Sequence, residues 1–165
     1  MYYFVYNSPL GEMIATSNGE KLFGLYFSNQ RYFNQAHIKG YVENDTLLIF
    51  KKVKNYLDAY FSGKIVDNVN IPIELEGTDF RKKVWEILKN IPYGKTISYK
   101  EIADIIAKHI HKRMSARAVG GAVGHNPISI IIPCHRVLGS NGKMTGYAGG
   151  IARKVKLLQI ENILK

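Results

Sequence analysis

The chain has one cysteine, one tryptophan and five prolines in 165 residues, and no apolar run near the roughly 20 residues that span a bilayer. A single cysteine excludes an internal disulfide and a cysteine-built zinc cage. Met1-Tyr2-Tyr3-Phe4 has no charged region followed by an apolar stretch, so no signal peptide and no membrane association are expected. A cytoplasmic location, where a lone thiol stays reduced, is the expectation. Internal repeats and low-complexity segments are also lacking.

Acidic residues are scarce in one half only. Residues 1–76 carry 7 Lys/Arg and 8 Asp/Glu, whereas residues 77–165 carry 16 and 5. A basic half joined to a nearly neutral one points to a polyanion partner, although charge alone fits a solvated surface equally well. Hydrophobic residues make up 46% of the chain, enough for a core.

The first half opens with short runs of β-formers, Tyr2–Asn7, Gly11–Thr16 and Lys21–Phe27, separated by Ser8-Pro9-Leu10-Gly11 and Ser17-Asn18-Gly19-Glu20. Asn-Gly between such runs is a hairpin signal, and a small antiparallel meander is predicted. A helix is predicted over Asn44–Phe61, capped by Asn44 or Asp45 and stopped by Gly63. Residues 64–77, with Ile71-Pro72-Ile73, read as an extended connector, so domains are expected at 1–76 and 77–165.

The basic half reads as helical. Thr78 caps a helix to Ile91. Ser98 and Glu101 form a capping box for a second, and Ser115 caps a third, Ala116–Val123. A helix, a basic break over Lys108–Arg113 and a capped helix fit a helix-turn-helix. Gly120 and Gly121 each cost such a helix about 1 kcal/mol relative to Ala. Small residues there serve either close packing inside the domain or close approach to a nucleic acid, with Arg117 reaching in from the first turn.

Ile130-Ile131-Ile132-Pro133-Cys134-His135-Arg136-Val137 is the stretch that carries chemistry. Three β-branched residues predict a short buried strand ended by Pro133. A lone cysteine beside His135 and Arg136 is a candidate low-pKa thiolate nucleophile, and equally a small buried hydrophobe.

These segments resemble the O6-alkylguanine-DNA alkyltransferases. The resemblance is carried by Phe80…Val84-Trp85, Gly94-Lys95-Thr96-Ile97-Ser98-Tyr99, Ala116-Arg117-Ala118-Val119-Gly120-Gly121-Ala122, Asn126-Pro127, Ile132-Pro133-Cys134-His135-Arg136-Val137 and Gly146-Tyr147-Ala148-Gly149-Gly150. It implies an α+β fold: an N-terminal ribonuclease-H-like small antiparallel sheet plus helix, then a mostly helical domain with the helix-turn-helix. It further implies stoichiometric alkyl transfer from O6 of guanine, and O4 of thymine, to Cys134. His135 would act as base through a bridging water, and Glu161, late in a C-terminal helix Ile151–Leu164, would orient it. Asn126 would support the active-site turn, and Tyr99 would hydrogen-bond or protonate the leaving base.

The same resemblance implies a flipped base and a minor-groove duplex DNA partner. Ser115, Ala116, Arg117, Ala118, Gly120 and Arg136 would contact DNA, with Arg117 in the gap left by the extruded nucleotide. Tyr99, Val137, Tyr147, Ala148 and Ser129 would form the base pocket, where the Cys134 and Val137 carbonyls and the Ala148 amide read guanine. No metal, no cofactor and a monomer are expected. Ser129 and Ala148 stand where some members carry proline and serine, which bears on tolerated alkyl size.

Overall fold

The Asn18-Gly19 turn closes a hairpin, with Gly19 at φ +106 and Asn18 Oδ1 accepting from the Glu20 and Lys21 amides at 2.9 Å. It joins β2 (Gly11–Ser17) to β3 (Leu22–Phe27), and β2 pairs on its other edge with β1 (Tyr2–Ser8). The structure is a computed structural model and describes residues 1–66 and 70–165. The sheet order is β3-β2-β1-β4. The meander is antiparallel as expected, but β4 (Val42–Glu43) adds to β1 in parallel, so the sheet is mixed at that edge.

Chain contacts divide the protein into two units, Met1–Glu76 with Pro127–Ser129, and Gly77–Asn126 with Ile130–Lys165. In the first, Met13, Ala15, Leu25 and Phe27 of the sheet are fully buried, as are Val53, Leu57 and Tyr60 of α1 (Leu48–Phe61). Phe4 stacks on Phe50 at 5.7 Å between ring centroids. Burying each such side chain contributes about 1.5–3 kcal/mol. Gly24 is required: a Cβ there would lie 2.3 Å from the Tyr26 ring and 2.8 Å from Thr16 Oγ1.

Helix α1 begins four residues later than Asn44. Its N-cap is Leu47, with no side-chain cap bond, because Asn44 Oδ1 is taken by the Thr46 amide and hydroxyl. Gly63 stops the helix at φ +83 as predicted. In the connector, Ile73 bridges to Leu22; residues 67–69 of that segment lie outside the described residues. Pro127–Ser129 joins this unit through Leu25, whose amide donates to Pro127 O and whose carbonyl accepts from the Ser129 amide, both at 2.8 Å.

The second unit is built from α2 (Asp79–Lys89), α3 (Tyr99–Ile110), α4 (Ala116–Gly124) and α5 (Ile151–Ile160), with a two-residue parallel pair, β5 (Ile97–Ser98) and β6 (Val137–Leu138). Val84, Trp85 and Leu88 of α2, Ile102, Ala103 and Ile106 of α3, and Val119, Ala122 and Val123 of α4 form its core. The Trp85 indole donates to the Ala122 carbonyl at 2.9 Å, which fixes α4 against α2. Thr78, Ser98 and Ser115 cap their helices as expected, and the Ser98/Glu101 capping box is complete. His111, left-handed at φ +52, turns the chain between α3 and α4.

The predicted strand over Ile130–Ile132 does not form. The residues are buried, but Ile130 sits at φ +70 and the segment is a turn that runs into a short 3-10 turn, Cys134–Arg136. Among the described residues no helix is long and apolar enough to cross a membrane.

Candidate active site

Cys134 opens the 3-10 turn directly after Pro133 and keeps 5% of its surface exposed. Burial pushes its thiol pKa up, so of the two readings left open the resting side chain follows the buried one rather than the low-pKa thiolate. Opposing that are the Asn126 amide, the Lys154 charge and the backbone N–H groups of Cys134 and His135. The resting group is therefore a thiol, surrounded by groups that favour its anion. Asn126 has a second task, donating from Nδ2 to Ile132 O at 2.8 Å, so it holds the turn that carries the sulfur.

His135 is fully buried, and its Nε2 lies 2.5 Å from Glu161 Oε1. Burial lowers its pKa, the Glu161 partnership raises it, and the Arg136 and Lys154 charges lower it further. Glu161 is also held against its burial. The His135 bond and charge, then Arg136, keep its carboxyl down at about 2. An ionised carboxylate only accepts, so His135 carries its proton on Nε2, and Nδ1 is the basic nitrogen. Glu161 reaches this place as the C-cap of α5, past the last helical turn rather than within a helix to Leu164, because the chain leaves the helix there and Asn162 is left-handed at φ +58.

Arg136 is displaced from its expected role. It is 4% exposed, and its guanidinium donates to Glu161 Oε2 at 2.8 Å and to Ile91 O at 2.6 Å. A side chain buried in this way offers DNA nothing. Lys154 joins the site without being among the residues the motifs point to. It has no exposed surface and donates to the carbonyls of Val137, Thr145 and Gly146 at 2.5, 3.1 and 3.3 Å. The available signal was its spacing: Lys154 falls in line with Leu157 and Leu158 on the buried face of α5.

The expected pocket residues divide. Tyr99, at the first position of α3, is half-buried; burial raises its pKa, while a bond to Thr145 lowers it and the nearby Cys134 raises it. Lys154 Nζ lies 6.0 Å from the Tyr99 ring centroid. Tyr147 and Ala148 are half-buried, with the Tyr147 hydroxyl inside. Val137 is buried, and its carbonyl accepts from Lys154. Ser129 groups with the N-terminal unit, where it is buried with its Oγ 3.2 Å from Gln30 Oε1.

On α4, Ala116, Arg117 and Ala118 are exposed. Ser115 is exposed as well, and its Oγ accepts from the Ala118 amide at 3.0 Å. A Cβ at Gly120 would touch the Tyr99 ring at 3.8 Å, whereas one at Gly121 would meet nothing within 4 Å. The packing explanation for the second glycine is therefore excluded: Gly121 faces open space.

A lone cysteine followed by a histidine paired with a buried carboxylate, in the same unit as a basic helix-turn-helix, is the arrangement of a protein suited to covalent chemistry on nucleic acid. Residues 79–163 match the family described as 6-O-methylguanine DNA methyltransferase, DNA binding domain, and residues 1–75 match its ribonuclease-like domain. A methylated-DNA–protein-cysteine methyltransferase of Haemophilus influenzae is 41% identical over 99% of this chain and 87% of its own length. One from Methanosarcina barkeri is 44% identical over 98% and 97%. The crystal structure of Mycobacterium tuberculosis OGT in complex with DNA superposes with a TM-score of 0.84 at 40% identity, covering 98% of this chain and 92% of that one.

The chain belongs to the 6-O-methylguanine DNA methyltransferase family, and its activity is transfer of a methyl group from DNA to a protein cysteine.

Proposed function

We propose that Cys134 is the acceptor and that the protein repairs O6-alkylguanine, and O4-alkylthymine, once per molecule. The observation that carries this reading is the buried Glu161–His135 pair, whose histidine follows directly on the chain's single cysteine in the same 3-10 turn. His135 Nδ1 takes the thiol proton through a bridging water. Asn126 and Lys154 receive the thiolate. The sulfur attacks the alkyl carbon, the carbon–O6 bond breaks, and its electron pair returns to the purine, to which Tyr99 supplies a hydrogen bond or proton. The product is a thioether and an intact guanine. Water does not readily cleave a thioether, and no second nucleophile is at hand, so the protein acts once. The step uses no metal and no organic cofactor, since the thiolate supplies the electron pair and the carbon is already activated.

The alkyl group lies inside the duplex, out of reach of a buried sulfur unless the nucleotide is turned out. Arg117 fills the gap, while exposed Ser115, Ala116, Ala118 and half-buried Gly120 lie flat along the minor groove as a monomer docks. Tyr147, Ala148 and the Val137 carbonyl wall the base. The solved relative in complex with DNA supports DNA as the partner, and the C-terminal half, 77–165, is the one that binds and reacts. A cytoplasmic location suits a thiol that must stay reduced.

The experiment is intact-protein mass spectrometry after incubation with duplex DNA bearing O6-methylguanine. One added methyl group, mapped to Cys134 and absent in Cys134→Ala, is the expected result. An unchanged mass with tight lesion binding makes the protein a non-catalytic binder, and indifference to the lesion with preference for one sequence makes it a regulator.

A further inference from the structure

Arg136 has no part in the chemistry just described, yet the carboxylate that serves His135 is built around it. Four donors converge on Glu161. Oε1 accepts from His135 Nε2 at 2.5 Å and Arg136 Nη2 at 3.1 Å. Oε2 accepts from Arg136 Nε at 2.8 Å and the Gly94 amide at 3.2 Å. The remaining guanidinium arm donates to Ile91 O at 2.6 Å, and the Tyr93 ring lies 5.6 Å from Arg136 Cζ. The guanidinium is thus fixed at both ends.

We propose that Arg136 is a positioning residue for the transfer: it clamps both oxygens of Glu161, so that one is held at His135 Nε2, and its charge opposes a second positive charge on the imidazole. The proposal rests on the reading of Cys134 as acceptor and His135 as base.

The reasoning is a charge balance inside a buried cluster. A lone carboxylate beside a lone buried histidine is best neutralised by protonating the histidine, which would then be an imidazolium and useless as a base. With Arg136 present, Glu161 is already neutralised, and a proton on His135 would leave a net positive charge out of water. The charged and titratable groups around the ring act in the same direction or are silent. Lys154 on α5 adds positive charge, Cys134 at the start of the turn is an uncharged thiol at rest, and Tyr93 faces Arg136. Glu161 alone favours the imidazolium, and Arg136 answers it. The clamp also explains why arginine rather than lysine stands here: an ammonium has no planar fork to grip both oxygens.

The test follows the His135 ring by 15N NMR across pH, beside single-turnover transfer measured by intact mass, in wild type, Arg136→Met and Arg136→Lys. In wild type, neutral His135 carries its proton on Nε2 and titrates below the ordinary imidazole range. In Arg136→Met the midpoint rises by at least about one pH unit, and the acidic limb of the transfer rate moves up with it. In Arg136→Lys the midpoint stays near wild type while the rate falls about tenfold or more, because charge is kept and the clamp is lost. An unmoved midpoint in Arg136→Met, or a uniform rate loss with an unmoved limb, overturns the proposal. If Arg136→Met does not fold, wild type decides: a neutral tautomer protonated on Nδ1, or a midpoint at or above the ordinary value, overturns it equally. Absence of any transfer by wild type would instead sink the functional reading, and the titration would still report on Arg136.

Discussion

Lys154 Nζ donates to the carbonyl oxygen of Val137 at 2.5 Å, from a side chain with no exposed surface. Burial pushes its pKa down to about 8, partly offset by Cys134. It is therefore still charged at neutral pH, and it ties residues 137, 145 and 146 together while favouring the thiolate. Lys154→Met keeps most of the volume and removes the charge. Methyl transfer at neutral pH should slow about tenfold or more, and iodoacetamide alkylation of Cys134 should need a higher pH. In wild type, alkylation should rise with pH less steeply above about 8, where Lys154 gives up its proton. An unchanged rate in Lys154→Met would leave Lys154 a structural tie only.

Acid should weaken the protein through Glu161. Its carboxyl is held at about 2 against a reference of 4.5. A depressed folded-state carboxyl stabilises above the unfolded value, and that stabilisation fades as pH falls from about 4.5 toward 2, a contribution on the order of 3 kcal/mol when complete. Buried neutral His135, also depressed, has the same sign, with its loss beginning at higher pH. Glu161→Gln leaves Arg136 as an uncompensated buried charge, so urea unfolding near neutrality should show a loss of about 3–5 kcal/mol. The gap to wild type should shrink below pH about 4.5.

Gly121→Ala separates helix stability from DNA contact. The added methyl meets nothing within 4 Å, so α4 should gain about 1 kcal/mol, seen as a higher urea midpoint. If that face lies against DNA, affinity for duplex DNA should fall in the same variant. A gain in stability with unchanged affinity would move the DNA surface elsewhere.

Arg117→Ala should leave stability nearly unchanged, since the residue is exposed in the first turn of α4. Transfer from a duplex should slow far more than transfer from free O6-methylguanine, measured by single-turnover kinetics on each. Equal loss on both substrates would remove Arg117 from base extrusion.

Local signals in the sequence hold where the chain itself decides the geometry. The Asn18-Gly19 hairpin, the Ser98/Glu101 box, the Thr78 and Ser115 caps and the Gly63 stop each depend on residues within a few positions of one another. The errors fall where distant residues decide. Asn44 had a nearer partner in Thr46, so α1 starts late. The resemblance puts Arg136 against DNA, whereas Glu161, 25 positions on, holds its side chain inside. Lys154 sits at an apolar position of its helix, and only three backbone carbonyls from another segment make that tolerable. For Cys134 the sequence leaves a low-pKa thiolate and a small buried hydrophobe equally open, and only the fold shows Arg136 committed to Glu161 and burial working against the charge.

Ile130 combines two demands that pull against each other. It is a β-branched side chain with no exposed surface, held at φ +70 four positions before the sulfur. Glycine would relieve the backbone and leave a hole in the core; valine or leucine would fill less well and keep the strain of about 1–3 kcal/mol. In a saturation mutagenesis library Ile130 should therefore tolerate as few substitutions as the nucleophile itself, although it takes no part in the reaction. Loss of function at that position would reflect a misshapen peptide, not missing chemistry.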